Sequence, residues 1–367
     1  MKLLFLLFAL LCSTGTSAQR PDTLPQPDTL PRTRPAFVRP PYLRPGDTVG
    51  IVTPARKLSE KADTAKVRER FASWGLNVKF APHFFDREQP YFAGTDLQRA
   101  ADLQAMIDDP GIRAVVSYQG GYGSVRLLPL VDLTRLREHP KWLVGFSDVT
   151  MLHLALGRLG VESLHATMPG KFRFGADEQA DAIRSDESLR SALMGLWTRI
   201  DLDPHPLDCP GTAQGRLTGG NLAIVCSAIG TPEEPDFDTP AVLFIEEVGE
   251  HMYRLDRMMQ QLVRSSLLAK CRAILVGHFT DMAGARHFGV DDPYNIIAHY
   301  VRPLGIPVVF GLPAGHEDPN VALYMGREVT VTVGDTGASI EFCPAASPDC
   351  RNAPHRDNSR DAPHTRR

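Results

Sequence analysis

The sequence predicts an α/β protein, with a parallel, helix-covered sheet first and a smaller α/β domain after it. Three observations carry this reading. Short apolar runs alternate with amphipathic segments of helical period. The loops that follow those runs hold the Gly, Ser and Pro of strand-to-helix turns. The rhythm breaks once, after Met168, and then resumes.

The elements justify themselves in order. DTVGIVTPA is an apolar strand ending in a turn, SEKADTAKVRERFASWG is an amphipathic helix closed by Gly75, and LNVKFAP is strand-like again. DLQRAADLQAMIDD is a second helix, IRAVVSYQ a buried strand, GGYGSVRLLPLVDL a glycine turn into a short helix, and KWLVGF a further strand. Repeated β–α units of this kind fold as a flavodoxin-like or Rossmann-like sheet, whose functional loops follow the carboxyl ends of the strands. VTPA, QGGYG and GFSD all stand there. A polar helical stretch near Asp177 to Leu196 and a Gly/Pro-rich passage then lead to the strand AVLFIEE, the helix YRLDRMMQQLVRS, the strand AILVG, a helix around YNIIAHYV, the strand PVVFG and paired strands in VALYMGREVTVTVG.

The expected organisation is a signal peptide at 1–18, a proline-rich tether at 19–43, an amino-terminal domain at 44–170, a crossover at 171–210, a carboxy-terminal domain at 211–345 and a disordered tail at 346–367. The signal rests on Lys2, the apolar run Leu3 to Leu11, and small residues Thr16 and Ala18 before Gln19. The expected destination is therefore the periplasm or cell envelope. That run is too short for stable membrane insertion. The tether duplicates PDTLP and has no apolar period to pack. The tail is polar and basic.

In the 367-residue chain, 43% hydrophobic and 23% charged residues suffice for a real core and exclude wholesale disorder. A formal charge of −3 offers no basic face to nucleic acid. Once Cys12 leaves with the signal, five cysteines remain. Cys343 and Cys350 could pair across a short loop, while Cys226 and Cys271 read as buried core. No cysteine or histidine spacing fits a structural metal site, so no metal is expected.

Four features could carry chemistry. Ser147 in VGFSDVT stands between strand and helix, where a serine serves either as an N-cap or as an exposed nucleophile on a sharp turn. Val149 replaces the second Gly of a full G-x-S-x-G elbow, so the local sequence leaves both open. QGGYG, Gln119 to Gly123, is a tight turn or an anion cradle, without the glycine spacing of a dinucleotide site or a P-loop. Glu246 and Glu247 end the apolar run AVLFI, which would leave Glu246 at the mouth of a site or simply solvated. Among the histidines, His355 and His364 lie in the tail, His165 reads as a satisfied core residue, and His278 rivals His316 of GLPAGHEDPN as a general base. Ser147, Glu246 and His316 follow the chain order of α/β-hydrolases.

GDTVGIVTPA, GGYGSVRLLPLVD, GFSDVT, GRLTGGNLAIVCSAIGTP, LFIEEVGEHMYRLDRMMQQL and GLPAGHEDPNVALYMG together resemble the LD-carboxypeptidase family of serine peptidases, which includes the microcin self-immunity peptidases. The resemblance covers about Arg44 to Val333. It implies Ser147 as nucleophile, His316 as general base and Glu246 as the acid that orients it. It also implies an oxyanion hole from the amides of Asp148 and of the Gly120–Gly121 turn, with the active site in the cleft between domains. No cofactor is required. The implied activity is release of terminal D-Ala from murein tetrapeptides. The alternatives are a peptidase that detoxifies peptide-like antibiotics and a catalytically silent envelope peptide-binding module. The implied partner is the murein peptide or antibiotic, and a homodimer is allowed. Gln119 departs from an Arg common before GGYG, Glu247 from a common Asp, and Glu317 from a common Gly.

Overall fold

The computed structural model describes residues 37–60, 62–175, 179–237 and 239–344. The signal segment, most of the tether, Cys350 and the basic tail lie outside the described residues. Residues 37–43, read from sequence as the end of the tether, pack on the fold. Val38 bridges Val161, and Leu43 is 3% exposed.

Thirteen strands in chain order form two sheets among the described residues. They are β1 (Thr48–Val52), β2 (Asn77–Phe80), β3 (Ile112–Ser117), β4 (Trp142–Gly145), β5 (Ser163–His165), β6 (Arg199–Leu202), β7 (Gly211–Asn221), β8 (Ala241–Val248), β9 (Cys271–Thr280), β10 (Val308–Val309), β11 (Leu323–Met325), β12 (Glu328–Gly334) and β13 (Gly337–Phe342). The first sheet runs β2-β1-β3-β4-β5-β11, parallel except for β11. Its first five strands have the flavodoxin order, with the switch point between β1 and β3. The second sheet runs β10-β9-β8-β7-β12-β13-β6 and is mixed.

The periodic segments become helices where local chemistry closes them. Asp96–Asp108 starts with a capping box between Thr95 and Gln98. Thr150–Leu159 stops at Gly160, whose left-handed backbone, φ +71°, lets its amide return to the last turn. The stretch 171–210 holds the helix Ala180–Leu193 and strand β6, which enters the second sheet at its edge. The passage VALYMGREVTVTVG does not pair with itself. Its first half is β11, antiparallel to β5 in the first sheet, and its second half is β12, which forms a hairpin with β13 in the second. Gly326, at φ +84°, turns the chain between them. One apolar core runs through both sheets, joining Val49, Val144 and Leu164 to Leu217, Phe244, Val331 and Ile340. A second core lies under the helix Met252–Arg264. No helix among the described residues is long and apolar enough to cross a membrane.

Candidate active site

Strand β4 delivers Ser147. Phe146 is extended at φ −148°, and Ser147 then turns abruptly into a left-handed backbone at φ +65°. A non-glycine residue holds that conformation at a cost that its surroundings must outweigh. The strand end just before it is braced from below. Buried His153 donates from Nε2 to the Gly145 carbonyl, 2.9 Å away, and its Nδ1 accepts from the Ser163 hydroxyl at 2.8 Å. Burial pushes this imidazole down to about 4, so it stays neutral at physiological pH. Ser147 caps nothing: its Oγ lies 2.9 Å from His316 Nε2.

The second sheet supplies the partners of that hydroxyl. His316 Nδ1 is 2.6 Å from Glu246 Oε2, and Glu246 is fully buried. Glu246 occupies a register shift between β8 and β9, the kind of irregularity that re-aims a side chain. It points toward His316, while Glu247 serves the other face. There Glu247 accepts from Asn221 Nδ2, the Ala223 amide and its neighbour's amide, Val248 N, at 2.8–2.9 Å. Burial raises the Glu247 carboxyl. The loop carrying His316 is held by Asn320, whose Oδ1 accepts from the Gly315 amide at 3.0 Å. Gly315, at φ +138°, holds a backbone that side chains rarely adopt, and a Cβ there would press on Glu246 Oε2 at 3.0 Å.

The turn after β3 closes the site. A Cβ on Gly120 would lie 3.0 Å from the Ser147 Cβ and 3.2 Å from its Oγ, so glycine lets the backbone approach the hydroxyl. The amides of Gly120 and Gly121 donate to no group among the described residues. Asp148, 2% exposed, turns its carboxylate away from the site and accepts from the Gly123 and Ser124 amides at 3.2 and 2.8 Å. It thereby ties the glycine turn to the serine turn. Burial raises its carboxyl despite those donors. Arg99, 1% exposed, joins the loops after β1 and β3 by donating to the carbonyls of Pro54 and Gly123.

The structure thus brings Ser147, Glu246, His316, Asp148, Gly120 and Gly121 together. His278, the rival, hydrogen-bonds through its amide to Ala314, and its half-buried ring lies outside the Ser147–His316–Glu246 chain. His165 is a core histidine, fully buried. Its ring nitrogens make no close hydrogen bond, the side chain of Asn320 being the polar group beside them, and burial drives its imidazole well below the usual range. It packs edge-on against Phe244 and near Phe146, so it is held as a flat apolar body. Sequence reasoning missed the supporting roles of Asp148, Arg99, His153 and Asn320. Only Asn320 carried a local signal, four residues after His316 in its loop.

A strained serine, an imidazole and a buried carboxylate in hydrogen-bonded line, at strand ends of an α/β fold, is the constellation of serine hydrolases. Comparison with known proteins narrows the class. Residues 49–166 match the LD-carboxypeptidase N-terminal domain, and residues 214–331 match the C-terminal domain. A Synechocystis sp. protein that bears the name of carboxypeptidase is 36% identical over 303 residues, 82% of this chain and 96% of that protein. The murein tetrapeptide carboxypeptidase of Pseudomonas aeruginosa is 32% identical over 76% of this chain and 91% of its own length. The crystal structure of muramoyltetrapeptide carboxypeptidase from Oxalobacter formigenes matches with a TM-score of 0.73 at 26% identity, covering 82% of this chain and all of that one. The chain belongs to the LD-carboxypeptidase family.

Proposed function

We propose that this protein is an exported serine carboxypeptidase that hydrolyses the L,D-bond before a terminal D-amino acid, releasing D-Ala from murein tetrapeptides. The observation that carries the reading is the strained Ser147 with its hydroxyl 2.9 Å from His316 Nε2, backed 2.6 Å behind by buried Glu246. The Pseudomonas relative's name supports the substrate class. The apolar amino-terminal run supports export.

In this reading the Glu246 carboxylate holds a proton on His316 Nδ1, leaving Nε2 free to accept the Ser147 proton as Oγ attacks the scissile carbonyl. The negative charge that develops on the carbonyl oxygen meets the Asp148 amide and an amide of the Gly120–Gly121 turn. The imidazolium then protonates the departing D-amino acid amine, and water resolves the acyl-enzyme by the reverse proton path. Residue types and spacing ask for no cofactor.

The test is incubation of wild type and Ser147→Ala with an L,D-linked murein tetrapeptide, with free D-Ala read by mass spectrometry. Release by wild type alone is expected. Release by both proteins, or by neither, would overturn the reading.

A further inference from the structure

A peptidase that removes one terminal residue must recognise a chain end, and the mark of that end is the free carboxylate. That carbon is only three bonds from the scissile carbonyl carbon, roughly 3–4 Å through space. Its receptor must therefore border the turn that touches Ser147. The flavodoxin order puts the loops after β1 and β3 on either side of the switch point, where such folds take ligands.

Two residues with unengaged donors meet there, Arg56 at its Cβ and Tyr91 at its hydroxyl. A Cβ built on Gly121 would lie 2.9 Å from the Arg56 Cβ and 2.8 Å from the Tyr91 hydroxyl, so both residues cover the glycine beside the serine. Tyr91 is 41% exposed, and Arg56 is exposed as well. Among the described residues the Arg56 guanidinium has no ion pair or hydrogen bond, and the Tyr91 hydroxyl has none. The adjacent cation differs, since Lys57 donates to the Gln89 carbonyl at 2.8 Å. The root of Arg56 is nonetheless fixed. Its backbone bridges Phe92, the Lys57 amide donates to the Tyr91 carbonyl at 3.0 Å, and Gln119 Nε2 donates to the Arg56 and Lys57 carbonyls at 2.8 and 2.6 Å. An unpaired guanidinium carried on a pinned backbone, with a free phenol on the same glycine, suits a planar carboxylate.

We propose that Arg56 and Tyr91 form the subsite that receives the free α-carboxylate of the released residue, and that Arg56 is the specificity-determining residue of the site. This rests on the carboxypeptidase reading above. Gln119 acts as a positioning residue that holds the Arg56 loop.

The experiment compares a murein tetrapeptide with its C-terminal amide. Wild type should prefer the free acid. Arg56→Gln should lower kcat/KM for the acid about 10- to 100-fold, mainly through KM, and leave the amide within about twofold, so that the preference collapses. Arg56→Lys should restore part of the loss, and Tyr91→Phe should give a smaller loss of the same selectivity. Equal losses on both substrates, or no loss on either, would overturn the proposal. If wild type cleaves neither peptide, the carboxypeptidase reading falls, and calorimetry decides the subsite separately. Tighter binding of acid than amide to Ser147→Ala, levelled in Ser147→Ala/Arg56→Gln, supports it. Equal affinity or no binding overturns it.

Discussion

At the scale of single residues, Glu246 and His153 make opposite predictions. In the proposed mechanism Glu246 acts through His316, its hydrogen-bond partner, so Glu246→Gln keeps the shape but removes the charge that would fix the Nδ1 proton. Its expected effect is a fall in kcat of about 10³- to 10⁴-fold with little change of KM, checked by steady-state kinetics. His153 has no part in the chemistry and a large part in pH response. Its pKa is about 4 in the fold against 6.5 in the unfolded chain. Between those values the unfolded chain takes a proton that the fold refuses, so stability drops as pH falls through that window, by up to about 3 kcal/mol. Buried His165 works in the same direction. The raised carboxyls of Asp148 and Glu247 bind protons more readily in the fold and work against it. Urea unfolding at pH 7 and pH 4.5 should therefore show a smaller difference for His153→Gln than for wild type, whatever its starting stability.

At the scale of elements, β8 separates two adjacent acids by face. Glu247 satisfies the amino-terminal end of the helix Leu222–Ala228 together with its cap Asn221, whose Oδ1 accepts from the Ile224 amide. Glu247→Ala leaves the buried Asn221 amide and the half-buried Ala223 amide without that acceptor and should cost about 1–3 kcal/mol in chemical denaturation, a loss of fold rather than of transition-state binding. The strands and helices around these acids were legible because period and punctuation agree, as in DLQRAADLQAMIDD between Thr95 and the acidic end. The serine, glutamate and histidine were singled out through the motifs of the family resemblance, and the fold brings their side chains into one hydrogen-bonded line. The bulge that aims Glu246 was not, since AVLFIEEV has no break in its apolar run, and the shift arises from pairing with β9. Arg99 likewise reads as one charge on a helix face, and its burial exists only once the loops after β1 and β3 close over it.

At the scale of the whole molecule, the chain passes from the first sheet to the second after β5, returns to lay down β11, and leaves again through Gly326. The reading of LYM and EVTVTV as one pair failed because both halves have strand propensity and only the distant partners, β5 and β7, sort them. A chain truncated after residue 310 would lack β11, the Trp197 bond to the Ala322 carbonyl and the buried Tyr324. It should show no cooperative thermal transition by circular dichroism, whereas a foldable fragment would melt sharply. The shared core, and the bond from the Asn221 amide to Thr150 Oγ1 at 3.0 Å, have a further consequence. Swinging the sheets apart would expose apolar surface that belongs to both. The walls around Ser147 therefore stand at a set spacing before any peptide arrives. Under the proposed function, the fit of the peptide is then set by fixed walls and not by a closing movement.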